Sequence, residues 1–131
     1  MNSSTKKQIL ESINNPVTFE PIARDSFDSA DKNKNGKIEK SELYECMKEV
    51  ANGLNLPAPT KKNLEELFKK LDVDKNGVID YEEFKVFAKD NMLKLIEEMW
   101  FVLNNLFFIY LKKKNFFYFF SIVFFKFFFD I

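Results

Sequence analysis

Apolar residues recur at three- and four-residue spacing in four stretches of this chain. They are Ile22, Ala23, Phe27 and Ala30; Leu43, Cys46, Met47 and Val50; Leu64, Leu67, Phe68 and Leu71; and Phe84, Phe87, Ala88 and Met92. That spacing lines one face of an α-helix, so each stretch predicts a helix with a core-facing stripe. Local signals bound them. Thr18 is a capping-type residue, and Pro21 lies in the first turn that follows, where a missing N–H does no harm. Asn52-Gly53 predicts the end of the second helix, and Pro57-Ala58-Pro59-Thr60 a linker that caps the third. Residues 1–17 are polar apart from Ile9, Leu10 and Ile13, with a break at Pro16, which predicts a mobile arm holding at most a turn or two of helix.

The stripes pair around two polar segments, so the chain reads helix–loop–helix twice, with loops starting at Asp31 and Asp72, 41 residues apart. One such unit cannot bury its stripe alone, whereas two stacked units enclose a four-helix cup. Ile38 and Ile79, at matching places in the loops, suit a short antiparallel pairing between them. The expected fold is all-α: a polar arm over residues 1–17, the paired unit over 18–92, and an apolar, Phe-rich helical extension over 93–131.

The loops carry the chemistry. Asp31 to Glu42 and Asp72 to Glu83 each place oxygen-bearing side chains at positions 1, 3, 5, 9 and 12, with Gly at 6 and Ile at 8. A segment of that pattern wraps one backbone around one hard cation. Asp-, Asn- and Gly-rich stretches also make plain turns, but here two copies hold every ligand type in register. Both loops resemble EF-hand calcium loops, and the resemblance to the calmodulin superfamily covers about residues 18–92.

Calcium takes six to eight oxygens, and the loops offer them in order. In the first, Asp31, Asn33 and Asn35 would give side-chain oxygens, Lys37 its carbonyl, Glu39 a direct or water-borne contact, and Glu42 both carboxylate oxygens. In the second, the same roles fall to Asp72, Asp74, Asn76, Val78 (carbonyl), Asp80 and Glu83. Two Ca2+ sites are therefore expected, and Glu rather than Asp at position 12 favours calcium over magnesium. They are unequal: the first loop has three acids against four lysines, the second five acids against Lys75 alone. Ligand charge tunes affinity, so the second site is expected to be the tighter.

The resemblance implies a calcium sensor that opens a groove for an amphipathic target helix. A buffer would bind calcium equally well and barely open. Only Met47 and Met92 lie near the expected groove, a thin version of a Met-rich target surface.

Bulk composition narrows the alternatives. The chain has 131 residues, 20 basic and 20 acidic side chains, and no His. It is too evenly charged to suggest nucleic acid, and it lacks the commonest acid–base residue. No phosphate-cradling loop or activated nucleophile is present, so catalysis is not expected. Cys46 stands alone, which fits a reducing compartment and a packing role. The polar start Met1-Asn2-Ser3-Ser4 does not read as a signal peptide, and Asn2 does not suit myristoylation, so a cytoplasmic protein is expected.

The C-terminal third supports three readings. Of 17 Phe, twelve lie from Phe101 onward, and nothing after Gly77 is Gly or Pro. With Trp100 and Lys112-Lys113-Lys114, the segment reads as a docking helix for this domain or a partner. The run from Phe116 to Phe125 reads as membrane-seeking, though as helix even Phe116 to Phe129 spans only about 21 Å against a core of about 30 Å. Interfacial burial fits that length better than a full span. The third reading is a low-complexity extension: 27 of residues 101–131 are Phe, Leu, Ile, Lys, Asn or Tyr, which codons of A and T alone encode.

Overall fold

Phe27 is fully buried, and its ring meets the edges of Tyr81 and Phe84 at centroid distances of 5.6 Å each. That contact joins the first repeat to the second and marks the middle of the core. The structure, a computed structural model, describes residues 3–53 and 55–98. They form five helices: α1 (Ser3–Asn14), α2 (Pro16–Ala30), α3 (Lys40–Gly53), α4 (Lys61–Leu71) and α5 (Tyr81–Glu98).

The all-α expectation holds, with α2–α3 and α4–α5 as the two helix–loop–helix units. Their stripes meet in one cluster built on Phe27, Leu67, Leu71, Ile38 and Ile79, each fully buried. Ile38 and Ile79 form the anticipated antiparallel bridge, with reciprocal N–H to carbonyl hydrogen bonds of 2.8 and 2.9 Å. Two bonds are all that the bridge supplies. The fully buried isoleucine side chains on either side hold the loops in register.

A pair of cross-repeat clasps flanks this bridge. Lys40, the first residue of α3, reaches Glu65 on α4 at 3.0 Å and lies 5.2 Å from the centre of the Phe68 ring. The 41-residue offset turns these three residues into Tyr81, Arg24 and Phe27. Tyr81, the first residue of α5, packs edge-on to Phe27 under the Arg24 guanidinium, 3.5 Å from the ring centre. Tyr81 also donates its hydroxyl to the Glu20 carbonyl (3.2 Å), and Lys85 reaches the Glu20 carboxylate (3.3 Å). Both helices that leave a loop are thus tied to the helix that enters the other.

Three boundaries differ from the sequence reading, and one agrees with it but closes differently. Residues 1–17 are not an arm with a turn or two of helix: α1 runs twelve residues and docks on α2 and α5. Ile13 enters the core at 6% exposure, and Ile9 and Leu10 pack against it half buried. Tertiary burial stabilises a helix too short and polar to persist alone. Second, α2 begins at Pro16 rather than Thr18, because the Asn15 side chain caps it through the Val17 N–H (3.0 Å) and Pro16 opens the first turn. Third, α3 does end at Gly53, but the left-handed residue is Asn55, with φ 56 and N–H bonds Asn55 to Asn52 and Leu56 to Ala51 (3.1 and 2.8 Å). Fourth, α5 passes Met92 without interruption, as a helical extension from residue 93 requires, but buries Ile96 at 1% exposure, so the core does not stop at 92. The unit expected over 18–92 therefore shares its core with residues on both sides. The Phe-rich segment from residue 99 onward, with Trp100 and the three-lysine run, lies outside the described residues.

Candidate metal centre

Each loop is drawn around two carboxylates. In the first, Asp31 at the end of α2 is 3% exposed, and its oxygens accept from the Asn35 and Gly36 N–H groups (3.2 and 2.8 Å). Glu42, in the first turn of α3 and 7% exposed, accepts from the Asn33 N–H with Oε1 and the Glu39 N–H with Oε2, both at 3.0 Å. The second loop repeats the scheme. Asp72 accepts from Asn76 and Gly77 (3.1 and 3.0 Å), and Glu83 from Asp74 and Asp80 (3.2 and 3.1 Å). The carboxylate at position 1 therefore holds the turn, and the one at position 12 closes the ring onto the exiting helix.

The shorter side chains fill the remaining places. Asn33 and Asn35 accept from N–H groups two residues on (3.1 and 3.0 Å), as do Asp74 and Asn76 (both 3.0 Å). The Asn35 amide also donates to Glu39 at 3.3 Å, whereas the Asn76 amide donates to Asp74 at 2.9 Å. Asp80 caps α5 by accepting from the Glu83 N–H at 2.8 Å. Lys37 and Val78 are expected to act through carbonyls, which suits an exposed cation in one loop and a half-buried apolar side chain in the other.

Backbone conformation explains the glycines. Gly36 and Gly77 have φ of +80 and +86, and nothing lies within 4 Å of where a Cβ would stand. Conformation, not space, demands glycine there. Lys34 and Lys75, at position 4 of each loop, also adopt φ 59. The sequence reading missed this, and a lysine carries no signal for a left-handed backbone.

Carboxylates converge most in the second loop. Among the described residues, Asp72, Asp74 and Glu83 form a three-carboxylate group whose oxygens lie within 4.8 Å of one another. Like charges so close repel, and backbone N–H donors relieve that only in part. A hard divalent cation fits this donor set: all oxygen, concentrated in charge, and open to solvent at Asp74. In the first loop Asn33 stands where the second has Asp74, so one carboxylate is replaced by an amide.

Three of the four lysines of the first loop are tied to groups outside it. Lys32 pairs with Glu49 on α3 at 3.2 Å, Lys40 with Glu65 on α4, and Lys34 donates to the Asp28 carbonyl on α2. Their charges oppose a cation less than a count suggests, because neighbouring acids offset two of them.

Elsewhere the sequence reading of Cys46 holds: it is buried, and burial, aided by the nearby Glu49 charge, pushes its thiol up to about 12. Such a thiol is a packing residue. No helix among the described residues is long and apolar enough to cross a membrane.

Comparison with known proteins converges on the same segment. A family model described as an EF-hand domain pair matches residues 23–89. The chain is 37% identical over 65 residues to the olive (Olea europaea) polcalcin Ole e 3, covering 50% of this chain and 70% of that protein. It is 39% identical over 61 residues to the Arabidopsis thaliana calcium-binding protein CML37, covering 47% of this chain and 30% of that protein. A 36% match over 69 residues joins it to mitochondrial substrate carrier family protein C of Dictyostelium discoideum, covering 53% of this chain and 14% of the carrier.

Proposed function

The chain belongs to the EF-hand family and is a calcium-binding protein, and from that premise we propose that it is a sensor whose apolar core face is offered to a partner helix when calcium binds. Its two sites are Asp31, Asn33, Asn35, Lys37, Glu39 and Glu42, and Asp72, Asp74, Asn76, Val78, Asp80 and Glu83, with Lys37 and Val78 contributing carbonyls. Calcium supplies a charge for these oxygens to gather around. The protein's chemistry is binding rather than catalysis, and its setting is cytoplasmic.

One observation carries the sensor reading. Glu42 and Glu83 belong to the first turns of α3 and α5, and their carboxylates hold the N–H groups of Asn33, Glu39, Asp74 and Asp80. A ligand that claims those oxygens acts directly on two helices that wall the core. In this reading the clasps at Lys40 and Tyr81 carry the change across the repeats.

An environment-sensitive apolar dye tests the proposal. A sensor gives a large fluorescence rise when calcium is added to the full chain. A flat response with calcium bound identifies a buffer, whose helices stay closed. Liposome co-sedimentation with and without calcium addresses the membrane-associating alternative.

A further inference from the structure

Helix α1 is the element that neither calcium loop requires. It packs on α2 and α5 through Ile9, Leu10 and Ile13, spaced i, i+1, i+4, while Lys7, Gln8, Glu11 and Ser12 face solvent. The seat includes two helices whose far ends are the candidate sites. Helix α2 runs into Asp31, and α5 starts beside Glu83. Phe19 on α2 and Met92 and Ile96 on α5 are all buried, at 4%, 3% and 1% exposure.

We propose that α1 is a resident, displaceable occupant of the partner-helix surface: it covers the α2–α5 face, and calcium loosens that seat so that an amphipathic helix of a partner takes its place. The inference deepens the sensor reading and rests on it. The surface fits an amphipathic helix because it already holds one. Charge on the partner is not specified by this seat, whereas apolar residues on a single helical face are.

The attachment is made for release. Ile13 is the only α1 side chain buried in the core among those described, and Ile9 and Leu10 are half buried. A single residue, Asn15, joins the two helices and serves both. Its N–H donates to the Glu11 carbonyl (3.0 Å) and so closes α1, while its side chain caps α2 through Val17. Helix α2 therefore keeps its cap when α1 leaves. The named bond between the two helices that departure would break is Thr18 Oγ1 to the Ser12 carbonyl, and the same hydroxyl already has the Asn15 carbonyl at 3.0 Å. Tethering raises the local concentration of α1 at its seat, so a thin contact still excludes weak competitors.

The test uses the full chain, unaltered and with Ile9→Ser and Leu10→Ser together, which weakens docking while leaving Ile13 and the rest of the core in place. The probe is a labelled amphipathic peptide of Leu and Lys, about 18 residues long. With calcium, the double variant binds it about tenfold more tightly, the gain expected if α1 occupies its seat about nine-tenths of the time. On the unaltered chain, hydrogen exchange gives an independent readout. Peptide and calcium together raise exchange over residues 3–14 and leave α4 protected. Equal, calcium-dependent affinities for both chains overturn the cover and leave the sensor reading standing. Peptide binding that leaves the α1 amides protected overturns displacement. No calcium-dependent peptide binding by either chain overturns both readings.

Discussion

Lys40 and Tyr81 occupy the same position of the two repeats and make the same contact with opposite chemistry. Each opens the helix that leaves its loop, and each locks onto the helix entering the other loop, one through an ion pair with Glu65, the other under the Arg24 guanidinium. The cation lies on the exiting helix in one clasp and on the entering helix in the other.

The two clasps should therefore fail differently. The Lys40–Glu65 pair is about half exposed on both sides (47% and 50%), so Lys40→Ala costs less than about 1 kcal/mol, fading with salt. Tyr81→Ala loses an edge-on aromatic contact and a close guanidinium, about 1–2 kcal/mol, largely independent of salt. Urea unfolding of the calcium-free chain at low and high ionic strength separates them. Equal costs with equal salt dependence would contradict this account of the clasps.

The loops are expected to bind in order. Asp72, Asp74 and Glu83 gather three carboxylates, where the first loop has an amide at the place of Asp74. Calorimetry should show Glu83→Gln abolishing the tighter binding event and Glu42→Gln the weaker one. Equal affinities, or the reverse assignment, would reject the ranking. Because Lys32, Lys40 and Lys34 of the first loop are held by Glu49, Glu65 and the Asp28 carbonyl, high salt should narrow the gap only modestly.

Gly77→Ala should destabilise the chain by about 1–2 kcal/mol although its surroundings are open, since the penalty is the left-handed backbone at φ +86. Gly77→Asn should cost less, because Asn tolerates that region. Thermal unfolding of the two variants checks the order, and a larger cost for Asn would point to crowding instead.

Cys46 provides a pH test. Burial raises its thiol from 9.0 to about 12, so the folded chain holds a proton that the unfolded chain releases. The stabilisation is complete below about pH 9 and is lost progressively as pH rises towards 12. Unfolding free energy should fall over that window by less in Cys46→Ala than in the parent chain. At pH 8 a thiol reagent should label Cys46 only after urea is added; rapid labelling of the folded chain would show that the thiol is not buried.

What the sequence revealed tracks how local each determinant is. The loops were legible because both glycines, the carboxylates that hold each turn and the bridging isoleucines sit at fixed places in each twelve-residue segment. Helix α1 was not, because three apolar residues in a polar segment say nothing until α2 and α5 supply a surface. Pro16 read as a break, yet with Asn15 before it the same proline opens a helix. Asn55 was hidden by the more conspicuous Gly53 nearby. The clasps were illegible for a different reason: Lys40 and Tyr81 share a position but no chemistry, so only the folded contacts show that they correspond.

The most direct test of the account is a calcium titration followed by amide NMR at Gly36 and Gly77, whose N–H groups donate to Asp31 and Asp72 at 2.8 and 3.0 Å. Both amides are expected to shift, Gly77 at lower calcium than Gly36, and both to saturate with two ions bound per chain. If either glycine stays unmoved at saturation, its loop is a turn and not a calcium site.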